Sequence, residues 1–107
     1  MTDERIKQIA DANGFKVICN KTFEEIGELN TALARYQAER DMHYAGIVED
    51  LMIHEEAREE LVSELADVQI TSNQLIYFLG LEKEVKDMVE YKINRQFERM
   101  GKENGKV

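Results

Sequence analysis

An all-α fold follows from three observations on this 107-residue chain: it has no proline, it is rich in Glu, Leu, Ile, Ala and Lys, and its apolar residues recur every three or four positions. Proline breaks helices, the abundant residues favour them, and that spacing lays an apolar stripe along one helix face. The length fits a single domain over residues 1–107, small enough that self-association would enlarge its core.

Four helical segments are predicted. The first carries Ile6, Ile9 and Ala10 on one side, with Thr2 or Asp3 as N-cap and Gly14 as a stop. From Phe15 the positions Ile18, Cys19, Ile26, Leu29, Leu33 and Tyr36 continue at helical spacing, so a second helix runs to about Arg40. The pattern breaks in "RDMHYAG", where Asp41 and Gly46 predict a connection. A third helix starts between Ile47 and Glu56, runs through Ala57, Leu61, Leu65, Val68 and Leu75 to Leu79, and ends at Gly80. Leu81 to Met100 form the last, with Val85, Met88, Val89, Ile93, Phe97 and Met100 on its apolar side, and "GKENGKV" is a frayed tail. The core is expected within residues 15–100.

Composition narrows the partners. A net charge of −8 opposes an electrostatic grip on a nucleic-acid polymer or an anionic membrane. Cys19 is the only cysteine, no apolar run approaches membrane-spanning length, and the start lacks a signal-peptide core. A soluble cytoplasmic protein is the expectation.

The acids carry the chemistry. At about 100° per residue, with Glu25 at zero, Tyr36 falls at about 20°, Leu29 at about 40°, Leu33 at about 80° and Glu28 at about −60°. On the third helix, with Glu64 at zero, Ala57 and Leu75 fall at about 20°, Val68 at about 40° and Asp67 at about −60°. Each helix thus sets two carboxylates, three residues apart, against its own packing stripe. Converging carboxylates repel and lose hydration, and a hard divalent cation, Mg²⁺ or Mn²⁺, removes that cost by taking their oxygens as ligands. Glu25, Glu28, Glu64 and Asp67 are the expected ligands, unless the acids simply line a solvated edge.

The last helix places cations beside its seam. With Val85 at zero, Lys92 lies at about −20°, Arg99 at about −40° and Arg95 at about −80°. They suit phosphate oxygens, Arg95 as a fork and Lys92 as a point charge, or else they complement the helix dipole and cover the core with their stems. Lys21, one turn before Glu25, either touches a phosphate or pairs with that acid. The third helix also has a second apolar side, Val62, Ala66, Ile70 and Tyr77, which predicts a subunit interface or a contact with the first helix.

Glu24-Glu25-x-x-Glu28, then Glu64-x-x-Asp67, then the basic Lys92-x-x-Arg95 helix, resembles the MazG-like all-α nucleotide pyrophosphohydrolases, and "ELADVQITSNQLIYFLGLEKEVKDMVEYKINRQFERM" is similar to their compact phage and Firmicutes branch. The 35 residues between Glu28 and Glu64 make a longer spacer than in many relatives, and Asn94 stands where some have another base, which ranks it below Lys92 and Arg95 as a phosphate contact. The resemblance implies a helical bundle of about four helices completed as a homodimer or homotetramer. It also implies Mg²⁺-dependent hydrolysis of a nucleoside triphosphate to the monophosphate and pyrophosphate. Glu25, Glu28, Glu64 and Asp67 would hold the metal, with Glu25 and Glu64 at the catalytic centre, and Glu24 would orient the attacking water. The alternative is a non-catalytic helical nucleotide-binding or regulatory interaction protein. A carboxylate-bridged di-iron bundle is set aside, because neither His43 nor His54 has a Glu three residues before it.

Overall fold

The computed structural model describes residues 2–44 and 51–103, without the side chains of 43, 44, 51–54 and 103. The described chain forms three helices, α1 (Glu4–Tyr44), α2 (Leu51–Phe78) and α3 (Glu82–Glu103). None of the described helices is long and apolar enough to cross a membrane.

Asp3 is the N-cap of α1. Its Oδ1 accepts the Arg5 backbone N–H at 2.8 Å and its carbonyl accepts the Lys7 N–H at 3.1 Å. The Arg5 side chain, 2.7 Å from Oδ2, and that backbone bond hold the Asp3 carboxyl down to about 2. Gly14 interrupts the helix where a stop was expected: its φ of 79° and ψ of 166° lie outside the helical region, and two helical segments meet across this kink within α1. Only glycine adopts such a backbone at little cost. The second segment also outruns its expected end, since helix continues to Tyr44 and the rest of the expected connection, residues 45–50, lies outside the described residues.

α2 ends where Gly80 was expected to end it. Gly80 has φ 68°, its N–H donates to the Tyr77 carbonyl at 3.0 Å, and the Leu81 N–H donates to the Ile76 carbonyl at 2.9 Å. These two bonds satisfy carbonyls that the helix end leaves free. Leu81 in turn accepts the Val85 N–H at 2.9 Å, so α3 starts at once. It runs to Glu103, three residues past the expected end at Met100.

α1 and α2 form an antiparallel pair, because cross-helix contacts join Asn13 to Gln74, Asp11 to Tyr77 and Arg35 to Glu60. Ala10, Ile18, Ala32 and Ala57 are the buried apolar residues, and Ile18 is the one large side chain fully buried among the described residues. Small residues let the helices approach closely, yet they bury little area. Thr71 and Gln74 fill the remaining buried places, the first donating to the Val68 carbonyl at 3.2 Å and the second accepting from Asn13 at 3.2 Å. The Phe15 and Phe78 rings stack at 6.3 Å near the end of the pair.

α3 leaves this pair as an arm. Among the described residues its backbone comes close to that of α2 alone, while the charge of Glu82 at its start acts on Lys7 of α1. The extents of 48 × 42 × 20 Å say the same, since a bundle of three such helices would have one long dimension rather than two.

Candidate metal centre

The acids predicted from helical phase meet midway along the α1/α2 pair. One carboxylate oxygen from each of Glu25, Glu28 and Glu64 lies within 4.8 Å of the other two. Glu25 and Glu64 are half-buried and Glu28 is exposed, so the cluster spans the seam from inside to outside. One oxygen each of Glu25 and Glu64 is shielded from solvent and has no hydrogen-bond partner.

That arrangement is costly without a cation. Burial first, then the charges of Asp67 and Glu28 and the nearby Glu64 carboxyl, push Glu25 up to about 7. Glu64 is raised as well, by burial and then by the Glu28 charge. A shielded carboxylate oxygen with no donor is the kind of group a hard cation satisfies, and the all-oxygen donor set suits Mg²⁺ or Mn²⁺. The residues present therefore fit the group that the sequence implied.

Asp67 is half-buried and close enough for its charge to act on Glu25 and Glu64, but it stands outside the three-oxygen cluster. Glu24 is exposed and lines an open groove of about 570 Å³ with Phe23, Gly27, Glu28, Thr31, Glu60 and Glu64. It borders the cluster without joining it, as its phase required.

The cations are not brought to the acids within one chain. Lys92, Asn94, Arg95 and Arg99 are all exposed on the arm, and among the described residues none of the three cations forms an ion pair. Lys21 is exposed too and does not pair with Glu25. The side chains of His43 and His54 lie outside those described.

The structure adds residues that the phase reading passed over. Arg35 binds Glu60 at 2.6 Å and Glu39 at 3.0 Å, and reaches Glu56 at 3.9 Å, so a cation neutralises one end of the acidic groove. Its signal in the sequence is its place seven residues after Glu28, two turns along the same face. Phe23 is 76 % exposed at the groove wall, and Gly27 leaves open space where a side chain would stand.

No protein-family model, curated protein or solved structure matches this chain.

Proposed function

We propose that the chain is a Mg²⁺-dependent nucleoside triphosphate pyrophosphohydrolase of MazG-like type, with Mn²⁺ as a substitute, acting in the cytoplasm on an NTP or dNTP. The observation that carries this reading is the convergence of Glu25, Glu28 and Glu64 with two shielded, unpartnered oxygens. These three residues hold the metal and Asp67, beside them, is the fourth acid of the set. When bound, the metal offsets phosphate charge and acidifies a coordinated water.

The reaction is balanced simply. A water oxygen bonds to the α-phosphorus, the bond from that phosphorus to the α,β-bridging oxygen breaks, and the electron pair leaves with pyrophosphate. Glu24, exposed at the groove beside Glu28, is placed to orient that water and accept its proton. Phosphate charge is met by Lys92 and Arg95, with Lys21, Asn94 and Arg99 as further contacts, once self-association has completed the bundle as a dimer or tetramer.

A second reading has one observation in its favour. The arm separates the cations from the acids within one chain, which suits a nucleotide-binding or regulatory protein without turnover. A panel of standard and modified nucleoside triphosphates decides between them. The hydrolase releases pyrophosphate from at least one of them with Mg²⁺ or Mn²⁺, and Glu64→Gln lowers the rate at least about a hundredfold. Metal binding with no pyrophosphate from any member of the panel selects the second reading.

A further inference from the structure

A metal site made of carboxylates needs no apolar neighbour, yet one wall of the acidic groove is a phenyl ring. Phe23 is 76 % exposed, more than any other large apolar side chain described, and it lines that groove with Glu24, Glu28 and Glu64. A ring left in water forfeits most of what its burial would gain. For antiparallel helices that face each other at zero phase, positive angles on both point to one flank of the pair and negative angles to the other. Glu24, Glu28, Glu60 and Asp67 have negative angles, so the groove opens on the negative flank, and Phe23, at about 160° on α1, stands at its outer rim.

The residue one turn on leaves the ring bare. Phe23, Gly27 and Thr31 follow at four-residue steps and form one ridge along the outside of α1. A helical side chain leans toward the N-terminus and covers the turn before its own, so a side chain at 27 is the one that would lie against Phe23. Gly27 has none, and a Cβ there would meet nothing within 4 Å. Its backbone is helical and no neighbour presses on it, so neither conformation nor packing requires glycine. Glycine nonetheless weakens a helix interior. Among the described residues nothing fills the gap, so what it admits comes from outside them.

Place and chemistry suit a flat aromatic ligand. Helix geometry sets Phe23 about 7.5 Å along the axis from Glu28, the span that a sugar covers between a base and its first phosphate. The groove, at about 570 Å³, falls within the size range of small-molecule sites. Its polar side chains offer acceptors: Glu24, Glu28, Glu60 and Glu64 are carboxylates when ionised, and the Thr31 hydroxyl already donates to the Gly27 carbonyl at 3.3 Å. A base edge facing this wall gains by bringing an amino group and loses by bringing a second carbonyl.

We propose that the base of the nucleotide stacks on Phe23 in the gap left by Gly27, and that the acceptor-lined groove prefers bases with an exocyclic amino group, cytosine, adenine or guanine, over uracil and thymine. Phe23 binds and takes no part in the chemistry. It fixes where the phosphate chain falls beside Glu28 and Glu64. Stacking itself is tolerant, since every base has a π face, so the preference comes from the wall.

The inference rests on the nucleotide reading above, and its test separates the two. With Mg²⁺ present, calorimetry compares α,β-methylene nucleoside triphosphates, which resist cleavage, with inorganic triphosphate, which has no base. Phe23→Ala should weaken the cytidine analogue about tenfold or more and leave inorganic triphosphate unchanged. Gly27→Leu should do the same while its unfolding midpoint stays level or rises, which a packing role for the glycine would not give. The chain has no tryptophan, so Phe23→Trp installs a single reporter whose fluorescence the cytidine analogue should quench and inorganic triphosphate should not. This measurement stands if Phe23→Ala fails to fold. The cytidine and adenosine analogues should bind at least about fivefold more tightly than the uridine one. Equal losses for analogue and triphosphate in Phe23→Ala overturn the stack. So does an unchanged affinity for the analogue, and a lower mass by light scattering in that variant would then assign the ring to a protein contact. Uridine at parity overturns the preference. Wild-type protein that binds neither ligand sinks the nucleotide reading itself, whereas equal binding of both sinks only this inference.

Discussion

A turn of about 160° around each helix axis separates Glu28 from Ile26 on α1 and Asp67 from Leu65 on α2, and with them two flanks built from the same two helices. The negative flank gathers Glu24, Glu28, Glu60 and Asp67 around a seam that already holds Glu25 and Glu64. The positive flank presents Ile26, Leu33, Val62 and Leu65 to solvent. One flank has too much charge for its burial, the other too much apolar surface for its exposure. A cation would relieve the first, whereas the second leaves apolar side chains in solvent, so the two sides of a pair only two helices thick lack different things.

Both flanks depend on one thin core, which gives the largest expected effect. Ile18 is fully buried, and the other buried apolar residues among those described are alanines. Ile18→Ala should cost about 3 kcal/mol, a large share of the stability of any small domain. Urea titration should show the loss, and Mg²⁺ binding and assembly should fail together in the midpoint region. Loss of one with retention of the other would show that the flanks are held by separate cores.

The next effect is confined to the acidic flank. Glu25 titrates near 7 in the folded chain against about 4.5 for an ordinary glutamate, so between those values the folded state binds more protons than the unfolded one. Metal-free protein should therefore lose stability as pH rises through that window. Above about pH 7 the full penalty applies, and Mg²⁺ no longer competes with a proton for the cluster. Thermal midpoints with and without Mg²⁺ should lie close together near pH 5.5 and diverge near pH 8. A metal-induced shift that shrinks as pH rises would contradict the cluster as the binding site.

Much of this was legible from residue spacing because helices obey a fixed angular step. Glu25, Glu28 and Glu64 were placed together by arithmetic, and Gly14 and Gly80 marked breaks that their positive φ values bear out. Helix resumes directly after Gly14 although Phe15, Val17, Ile18 and Cys19 are weak helix formers, because their apolar spacing lays a packing stripe against α2. The arm was not legible. Phase fixes which way Lys92 and Arg95 point around their own axis, but the turn at Gly80 and Leu81 fixes where that axis goes. Asp67 marks the same limit, for the correct phase on a helix still leaves its reach across the seam to the separation of the two backbones.

The smallest effect tests how the acidic flank is balanced. Arg35 sits 42 % exposed between Glu39 and Glu60, and Glu60 lines the same groove as Glu64. The Glu60 pair is exposed and adds little to stability, but Glu39 is largely shielded, so Arg35→Ala should cost about 1 kcal/mol in urea titration. Its effect on the cluster should be electrostatic. With the guanidinium gone, the uncompensated Glu60 deepens the negative potential over the cluster, and Mg²⁺ should bind about two- to threefold more tightly at low ionic strength. High salt should erase the difference, because screening acts on this solvent-facing pair before it reaches the shielded oxygens of Glu25 and Glu64. Calorimetric titration of both proteins at two salt concentrations measures it, and weaker binding in Arg35→Ala would mean that the arginine positions the acids rather than offsetting them.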